Sequence, residues 1–134
     1  MITTRTYYTL VLAILLPMIV LSQNQEVINK DVDAVKFKFY AEGGKGLVLD
    51  VRTADEVSEG YIKGAKNIDY FSDGFEVEVK KLSTDQPIYV YCRSGGRSGQ
   101  AAADMKKWGF KEVYNLDGGI TAWQEKDYEM VVPK

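Results

Sequence analysis

Two apolar runs, Leu47 to Val51 and Ile88 to Tyr91, most constrain the fold that this chain can adopt. Their apolar residues are nearly continuous rather than alternating, which is typical of strands buried on both faces of a parallel sheet. Helical patterns and further short apolar runs alternate along the rest of the chain. The sequence therefore predicts an α/β domain with a mainly parallel sheet.

The elements of this domain can be placed from periodicity, turn residues and capping residues. Strands are predicted near Glu26 to Ile28 and at 47–51, 65–68, 88–91 and 113–116. Helices are predicted from a cap at Asp31 to about Tyr40, over 54–59, over 73–82, from a cap at Ser98 to Gly109, and in a last short segment that carries Trp123. The alternation between Phe75 and Val79 would also suit a strand, but a parallel sheet needs a helical crossover there. Trp108 and Trp123 are expected in the core.

The first residues are predicted to be a secretory signal peptide rather than part of the domain. An apolar run from Leu10 to Leu21 follows the basic residue Arg5 and precedes a polar segment. The run is shorter than the ~20 residues of a spanning helix, so no stable membrane span is expected after processing. An uncleaved anchor and a buried helix are the alternatives. The prediction is a signal peptide over 1–22, a single domain over 23–134 and an exported, periplasmic protein.

The chain contains no histidine, which excludes several classes of site. Within one subunit there can be no Cys-His or Ser-His catalytic pair and no imidazole ligand for a metal. The formal net charge is −2, so there is no excess of basic residues to bind a nucleic acid. No metal, no cofactor and no nucleic-acid partner is therefore predicted.

Cys92 is the only cysteine of the chain and opens the run Cys92-Arg93-Ser94-Gly95-Gly96-Arg97-Ser98, directly after a predicted strand. A free thiol has a pKa of about 8.5, so little thiolate is present at neutral pH unless positive potential stabilises it. Arg93, Arg97 and the amino terminus of the following helix supply that potential. The two glycines permit positive φ values, so that backbone N–H groups from 93 to 98 can point inward at an anion. The run predicts a nucleophile in an anion-binding loop; a small buried hydrophobe at a strand end is the alternative.

Four blocks of sequence occur in the order found in single-domain rhodaneses. They are Leu49–Arg52 followed by Glu56, then Gly60–Ile68, then Tyr91–Ser98, and finally Leu116–Trp123. The chain therefore resembles the single-domain rhodanese family of thiosulfate and persulfide sulfurtransferases. Tyr61 stands where the family usually has histidine, and Asp69 stands where proline is common. The resemblance implies a three-layer domain, with about five strands and helices on both faces of the sheet.

The resemblance also implies that Cys92 carries a persulfide between two half-reactions. Its thiolate would attack the outer sulfur of a small anionic donor, thiosulfate or a persulfide, and a thiol or cyanide would then accept that sulfur. Arg93 and Arg97 are expected to bind the oxyanion of the donor, with Arg97 nearest to the bound group. Asp50 and Arg52, at the end of the neighbouring strand, are expected to brace the loop; a structural ion pair is the alternative. A redox protein is a further candidate partner.

Two other functions also fit a cysteine in an anion-binding loop. An exported persulfide carrier or binding module with little turnover would need the same loop. A phosphatase or arsenate reductase also ends such a loop in arginine, but tyrosine-phosphatase loops are longer and commonly carry histidine before the cysteine. Four residues separate Cys92 from Arg97, and Tyr91 precedes the cysteine. The sequence therefore favours attack on a sulfur atom.

Overall fold

The structure is a computed structural model and describes residues 24–134. The predicted signal peptide, residues 1–22, lies outside the described residues, so its cleavage and the export of the chain stay predictions. Within residues 24–134, no helix is both long enough and apolar enough to cross a membrane.

One sheet of five parallel strands forms the centre of the described part of the chain. The strands are β1 (Ile28–Val32), β2 (Leu47–Asp50), β3 (Lys66–Asn67), β4 (Ile88–Tyr91) and β5 (Glu112–Leu116). They are arranged in the order β1-β5-β4-β2-β3, and every pair is parallel. The predicted parallel sheet is confirmed, and β4, which leads into Cys92, is its middle strand.

Helices cover both faces of this sheet. Within residues 24–134 they are α1 (Ala34–Glu42), α2 (Ala54–Ser58), α3 (Phe75–Lys80), α4 (Gly96–Lys107) and α5 (Gly119–Glu125). The side chains of β4 alternate between the faces, since Ile88 and Val90 pack with residues of α3 and α4. Tyr89 and Tyr91 pack with residues of α1 and α5 on the other face. The predicted three-layer arrangement is therefore confirmed.

The first strand and the first helix differ from the prediction. The strand expected near Glu26 to Ile28 is β1, and Asp31, the predicted helix cap, lies inside it. Asp33 caps α1 instead, because its carboxylate accepts a hydrogen bond from the N–H of Lys36 at 2.8 Å. β1 lies at the edge of the sheet, and its third and fourth residues are exposed. An edge strand of this kind lacks the continuous apolar signal of a central strand.

The helical interpretation of residues 73–82 is confirmed, since this segment contains α3. Phe75 and Val79 are buried on one face of the helix, as the spacing of four residues predicts. The two tryptophans are also core residues: Trp123 is buried, and Trp108 is half-buried against the cluster that contains Phe75.

Candidate active site

Cys92 directly follows the middle strand β4 and lies at the carboxyl-end edge of the sheet, where open α/β sheets bind ligands. The residue is buried, with 1% of its surface exposed. Its Sγ atom accepts hydrogen bonds from the backbone N–H of Gly95 at 3.1 Å and from the hydroxyl of Ser98 at 3.3 Å. The loop and the first turn of α4 therefore converge on the sulfur.

These polar surroundings shift the pKa of the Cys92 thiol downward. Burial is the largest influence and raises the pKa, because it disfavours the charged thiolate. The hydroxyl of Ser98 and the backbone N–H groups of Ser98, Gly95 and Ser94 lower the pKa by donating hydrogen bonds to the sulfur. Together they outweigh burial, so the pKa lies below its ordinary value. The loop thus stabilises a thiolate without an imidazole.

Ser98 does not cap α4, contrary to the prediction. The helix begins at Gly96 and is preceded by Gly95, whose φ is 103°. No side-chain oxygen of the described residues accepts a hydrogen bond at this end of α4. Instead, the sulfur of Cys92 accepts hydrogen bonds from the backbone there, in the way that a capping oxygen would. The hydroxyl of Ser98, in the first turn of the helix, donates to the same sulfur.

Ser98→Ala is expected to raise the pKa of the Cys92 thiol by about one unit. A hydrogen bond to a charged group contributes about 1.5 kcal/mol or more, and one pKa unit corresponds to about 1.4 kcal/mol. The measurement is the rate of alkylation by iodoacetamide across a pH series, which reports the fraction of thiolate. Ser94→Ala is the matched control, since the Ser94 hydroxyl is not among the described donors to the sulfur. An unchanged pKa in Ser98→Ala would contradict this account of activation.

Arg97 is paired with a carboxylate instead of standing free to meet an anion. Its two terminal nitrogens donate to the two oxygens of Glu56, both at 2.7 Å. Glu56 also accepts from the backbone N–H and the hydroxyl of Thr53, within a capping box at the start of α2. The hydrogen bonds from Arg97 and Thr53 hold the pKa of Glu56 at about 2, although burial alone would raise it. Glu56 therefore offsets the charge that Arg97 would present to a donor anion, and the predicted role of Arg97 in binding stays a prediction.

Arg93 and Ser94 lie exposed on the outer side of the loop. The guanidinium of Arg93 forms no salt bridge with any of residues 24–134. Its carbonyl, in contrast, accepts hydrogen bonds from the N–H and the hydroxyl of Thr121 at 3.2 and 3.0 Å. The backbone of Arg93 is therefore held in place while its cationic side chain is available to attract an anion.

Asp50 and Arg52 form a buried ion pair beside the loop. Arg52 donates to both oxygens of Asp50 through Nε and Nη2, with the shortest distance 2.7 Å, and to the carbonyl of Gly60 at 2.8 Å. Burial lowers the pKa of Arg52, but the hydrogen bonds and charge of Asp50 raise it above its ordinary value. Within the described residues, neither side chain forms a hydrogen bond to residues 92–98. These contacts are the ones expected of a structural ion pair, the alternative given above. Direct bracing of the loop by Asp50 and Arg52 stays a prediction.

The beginning of α5 fixes the other side of the loop. The N–H of Ile120 donates to the carbonyl of Cys92 at 2.9 Å. Gly119, with φ of 60°, lies so close that an added Cβ would be 2.4 Å from the carbonyl oxygen of Arg93. Only glycine allows this approach without displacing the loop backbone.

Glu56 and Gly119 both belong to the four sequence blocks described above, but neither was predicted to be part of the site. A signal existed for Glu56, because Thr53 and Glu56 have the spacing of a capping box. For Gly119 the signal was a pair of adjacent glycines after a strand. Such a pair indicates a turn but does not show which part of the chain packs against that turn.

The fold and the loop define a three-layer α/β domain with one buried, hydrogen-bonded cysteine at the end of its middle strand. The family model of the rhodanese-like domain matches residues 33–126. The chain therefore belongs to the rhodanese-like domain family, as its four sequence blocks indicated.

Relatives with known names agree with this assignment. A protein of Allochromatium vinosum named sulfurtransferase is 34% identical over 66% of this chain and 80% of its own length. The thiosulfate sulfurtransferase GlpE of Shewanella oneidensis is 33% identical over 58% of this chain and 75% of its own length. The crystal structure of a rhodanese-related protein from Thermoplasma volcanium superposes with a TM-score of 0.67 at 29% identity, over 78% of this chain and 99% of that one.

Proposed function

We propose that this chain is a sulfurtransferase that moves a sulfane sulfur from thiosulfate or a persulfide donor to a thiol or cyanide acceptor, through a persulfide on Cys92. The observation that carries the proposal is the pair of donors on the sulfur, the Gly95 N–H and the Ser98 hydroxyl. They favour the thiolate, which is the nucleophilic form. The relatives named sulfurtransferase and thiosulfate sulfurtransferase support the same reaction class.

In the first half-reaction the Cys92 thiolate attacks the outer sulfur of thiosulfate. A new S–S bond forms on Sγ, the S–S bond of thiosulfate breaks, and sulfite leaves with the electron pair. Arg93, exposed and without a salt bridge among residues 24–134, is placed to attract the dianion. Backbone N–H groups of the loop can stabilise the negative persulfide that results.

In the second half-reaction the acceptor removes the outer sulfur. A thiolate or cyanide attacks that sulfur, the S–S bond to Cys92 breaks, and the electron pair returns to Sγ as the thiolate. The donors around the sulfur favour this leaving group for the same reason that they favour the starting thiolate. The cycle therefore ends with the enzyme in its initial state.

Export to the periplasm is a further part of the proposal and is supported by the apolar run from Leu10 to Leu21. In an oxidising compartment a lone thiolate is open to oxidation unless sulfur transfer or a reductant restores it. We therefore include a redox protein as a partner of Cys92.

The pairing of Arg97 with Glu56 favours one second candidate, an exported persulfide carrier with little turnover on small donors. In a carrier, sulfur would arrive from a partner protein, and no dianion would need the charge of Arg97, which Glu56 offsets. Turnover with thiosulfate distinguishes the two functions.

The proposal is tested by the intact mass of the domain after incubation with thiosulfate. We expect a gain of one sulfur atom that a thiol then removes. Because Cys92 is the only cysteine of the chain, protein alkylated beforehand is a site-specific control and should gain nothing. A phosphoryl adduct from a phosphate ester, with no sulfur gained from thiosulfate, would favour a phosphatase instead.

A further inference from the structure

The salt bridge between Arg97 and Glu56 fixes a carboxylate beside the end of the Cys92 loop, and the half-reactions described above give that carboxylate no role. Arg97 donates to both oxygens of Glu56 at 2.7 Å. The ring of Phe71 lies against the guanidinium, with its centroid 5.5 Å from Cζ of Arg97. Both charged side chains are partly buried, so salt screens them less than it would an exposed pair.

The arginines around the loop therefore present less positive charge than their number indicates. Glu56 offsets the charge of Arg97, and Asp50 offsets that of Arg52 beside the loop. Arg93 is exposed and forms no salt bridge with any of residues 24–134. Of these three arginines, one is left with an uncompensated charge. One cation complements a monoanion better than it complements a dianion.

The charges of this salt bridge act on whatever anion meets the sulfur. The pKa of Arg97 is raised chiefly by its hydrogen bond to Glu56, and the charge of Cys92 raises it further, so the two ends of the loop interact electrostatically. A donor whose outer sulfur touches Sγ lies in the same field. Because the Coulomb energy is proportional to the product of the charges, Glu56 opposes a dianion about twice as strongly as a monoanion at the same place.

From this charge balance we infer that Glu56 is a specificity-determining residue, which makes the loop select sulfur donors with a single negative charge, such as a persulfide anion, over the dianion thiosulfate. The inference rests on the proposed sulfurtransferase function and narrows its donor. A fixed like charge discriminates by repelling the unwanted substrate rather than by binding the preferred one. Glu56 does this without touching the reacting atoms.

Two donors isolate the effect of charge. Methanethiosulfonate differs from thiosulfate in having a methyl group in place of one charged oxygen, so it is a monoanion. With either donor the Cys92 thiolate attacks the outer sulfur, an S–S bond forms on Sγ, and the S–S bond of the donor breaks. The electron pair leaves with sulfite from thiosulfate and with methanesulfinate from methanethiosulfonate.

Glu56→Gln removes the charge while keeping the capping box with Thr53, because glutamine also serves at this position. We expect kcat/KM to rise about 5-fold more for thiosulfate than for methanethiosulfonate. The measurement is thiocyanate formation with cyanide at a fixed concentration, since kcat/KM of the donor depends only on the first half-reaction. The intrinsic reactivity of each donor cancels in the ratio of variant to wild type. Added salt should shrink the difference between the donors, which a purely structural effect would not do.

Asp85→Asn is the matched control. Asp85 forms a salt bridge with Lys111 at 2.6 Å and precedes β4, so it lies toward the opposite edge of the sheet from Cys92. Removal of this charge should change both donors by one common factor. A common factor in folded Glu56→Gln as well would overturn the inference but leave the proposed function intact. Absence of sulfur transfer from both donors to the wild type would overturn the proposed function, and this inference with it.

Discussion

Cys92→Ser is expected to reduce sulfur transfer from thiosulfate to cyanide to the uncatalysed background, a loss on the order of 10³-fold or more. The hydroxyl of serine has a far higher pKa than a thiol, and the loop contains no histidine to remove its proton. Hydrogen bonds that suffice to stabilise a thiolate do not suffice for an alkoxide. The measurement is initial-rate formation of thiocyanate at several enzyme concentrations.

The size of this effect is interpretable only if the variant keeps its fold. Serine differs from cysteine only in having an oxygen atom in place of the sulfur. The site already contains donors from which that oxygen can accept hydrogen bonds. We therefore expect the thermal unfolding midpoint to change by a few degrees at most. Equal rates in the folded variant and the wild type would end the enzymatic claim for this site.

The activation of Cys92 comes from hydrogen bonds within its own loop. The Ser98 hydroxyl and the loop N–H groups lower the pKa of the thiol against the opposing effect of burial. The pKa of Arg97 is raised chiefly by its hydrogen bond to Glu56, and the charge of Cys92 is a lesser cause. The part that the sequence prediction gives to Arg97 in activating the thiol stays a prediction.

The centre of the fold could be predicted from the sequence because burial on both faces leaves a clear pattern. β2 and β4 are nearly continuous apolar runs, and their predicted bounds agree with the structure to within one residue. β3 has only two residues, Lys66 and Asn67, and both are exposed. A short edge strand is specified by pairing with its neighbour rather than by its own side chains, and the strand predicted at 65–68 is one residue too long at each end.

The candidate site divides in the same way into local and long-range parts. The nucleophile and its loop are contiguous in sequence, so their proximity followed from the chain itself. The partner of Arg97 lies 41 residues away, and a sequence with many carboxylates does not indicate which one an arginine meets. Ser98 was placed in the loop, but the role of its hydroxyl was missed, because a serine near a helix start is usually a cap and only the location of the sulfur reveals another role.

Gly119→Ala is expected to lower turnover about 100-fold in a protein that still folds. The added Cβ would lie 2.4 Å from the carbonyl oxygen of Arg93 and 2.6 Å from the backbone nitrogen of Ser94. Both contacts are with backbone, so the loop must move as a whole. Its N–H groups then leave the Cys92 sulfur, and the thiol pKa should rise together with the loss of turnover.

Gly109→Ala separates this steric effect from the ordinary penalty of alanine at positive φ. Gly109 has φ of 89°, but an added Cβ there meets nothing within 4 Å. We expect Gly109→Ala to lose about 1–2 kcal/mol of unfolding free energy and to keep both the wild-type turnover and the wild-type thiol pKa. Gly119→Ala should lose a similar amount or more, because overpacking adds to the backbone penalty. If Gly119→Ala instead matched Gly109→Ala in turnover and in thiol pKa, the approach of α5 would not be what holds the loop around the sulfur.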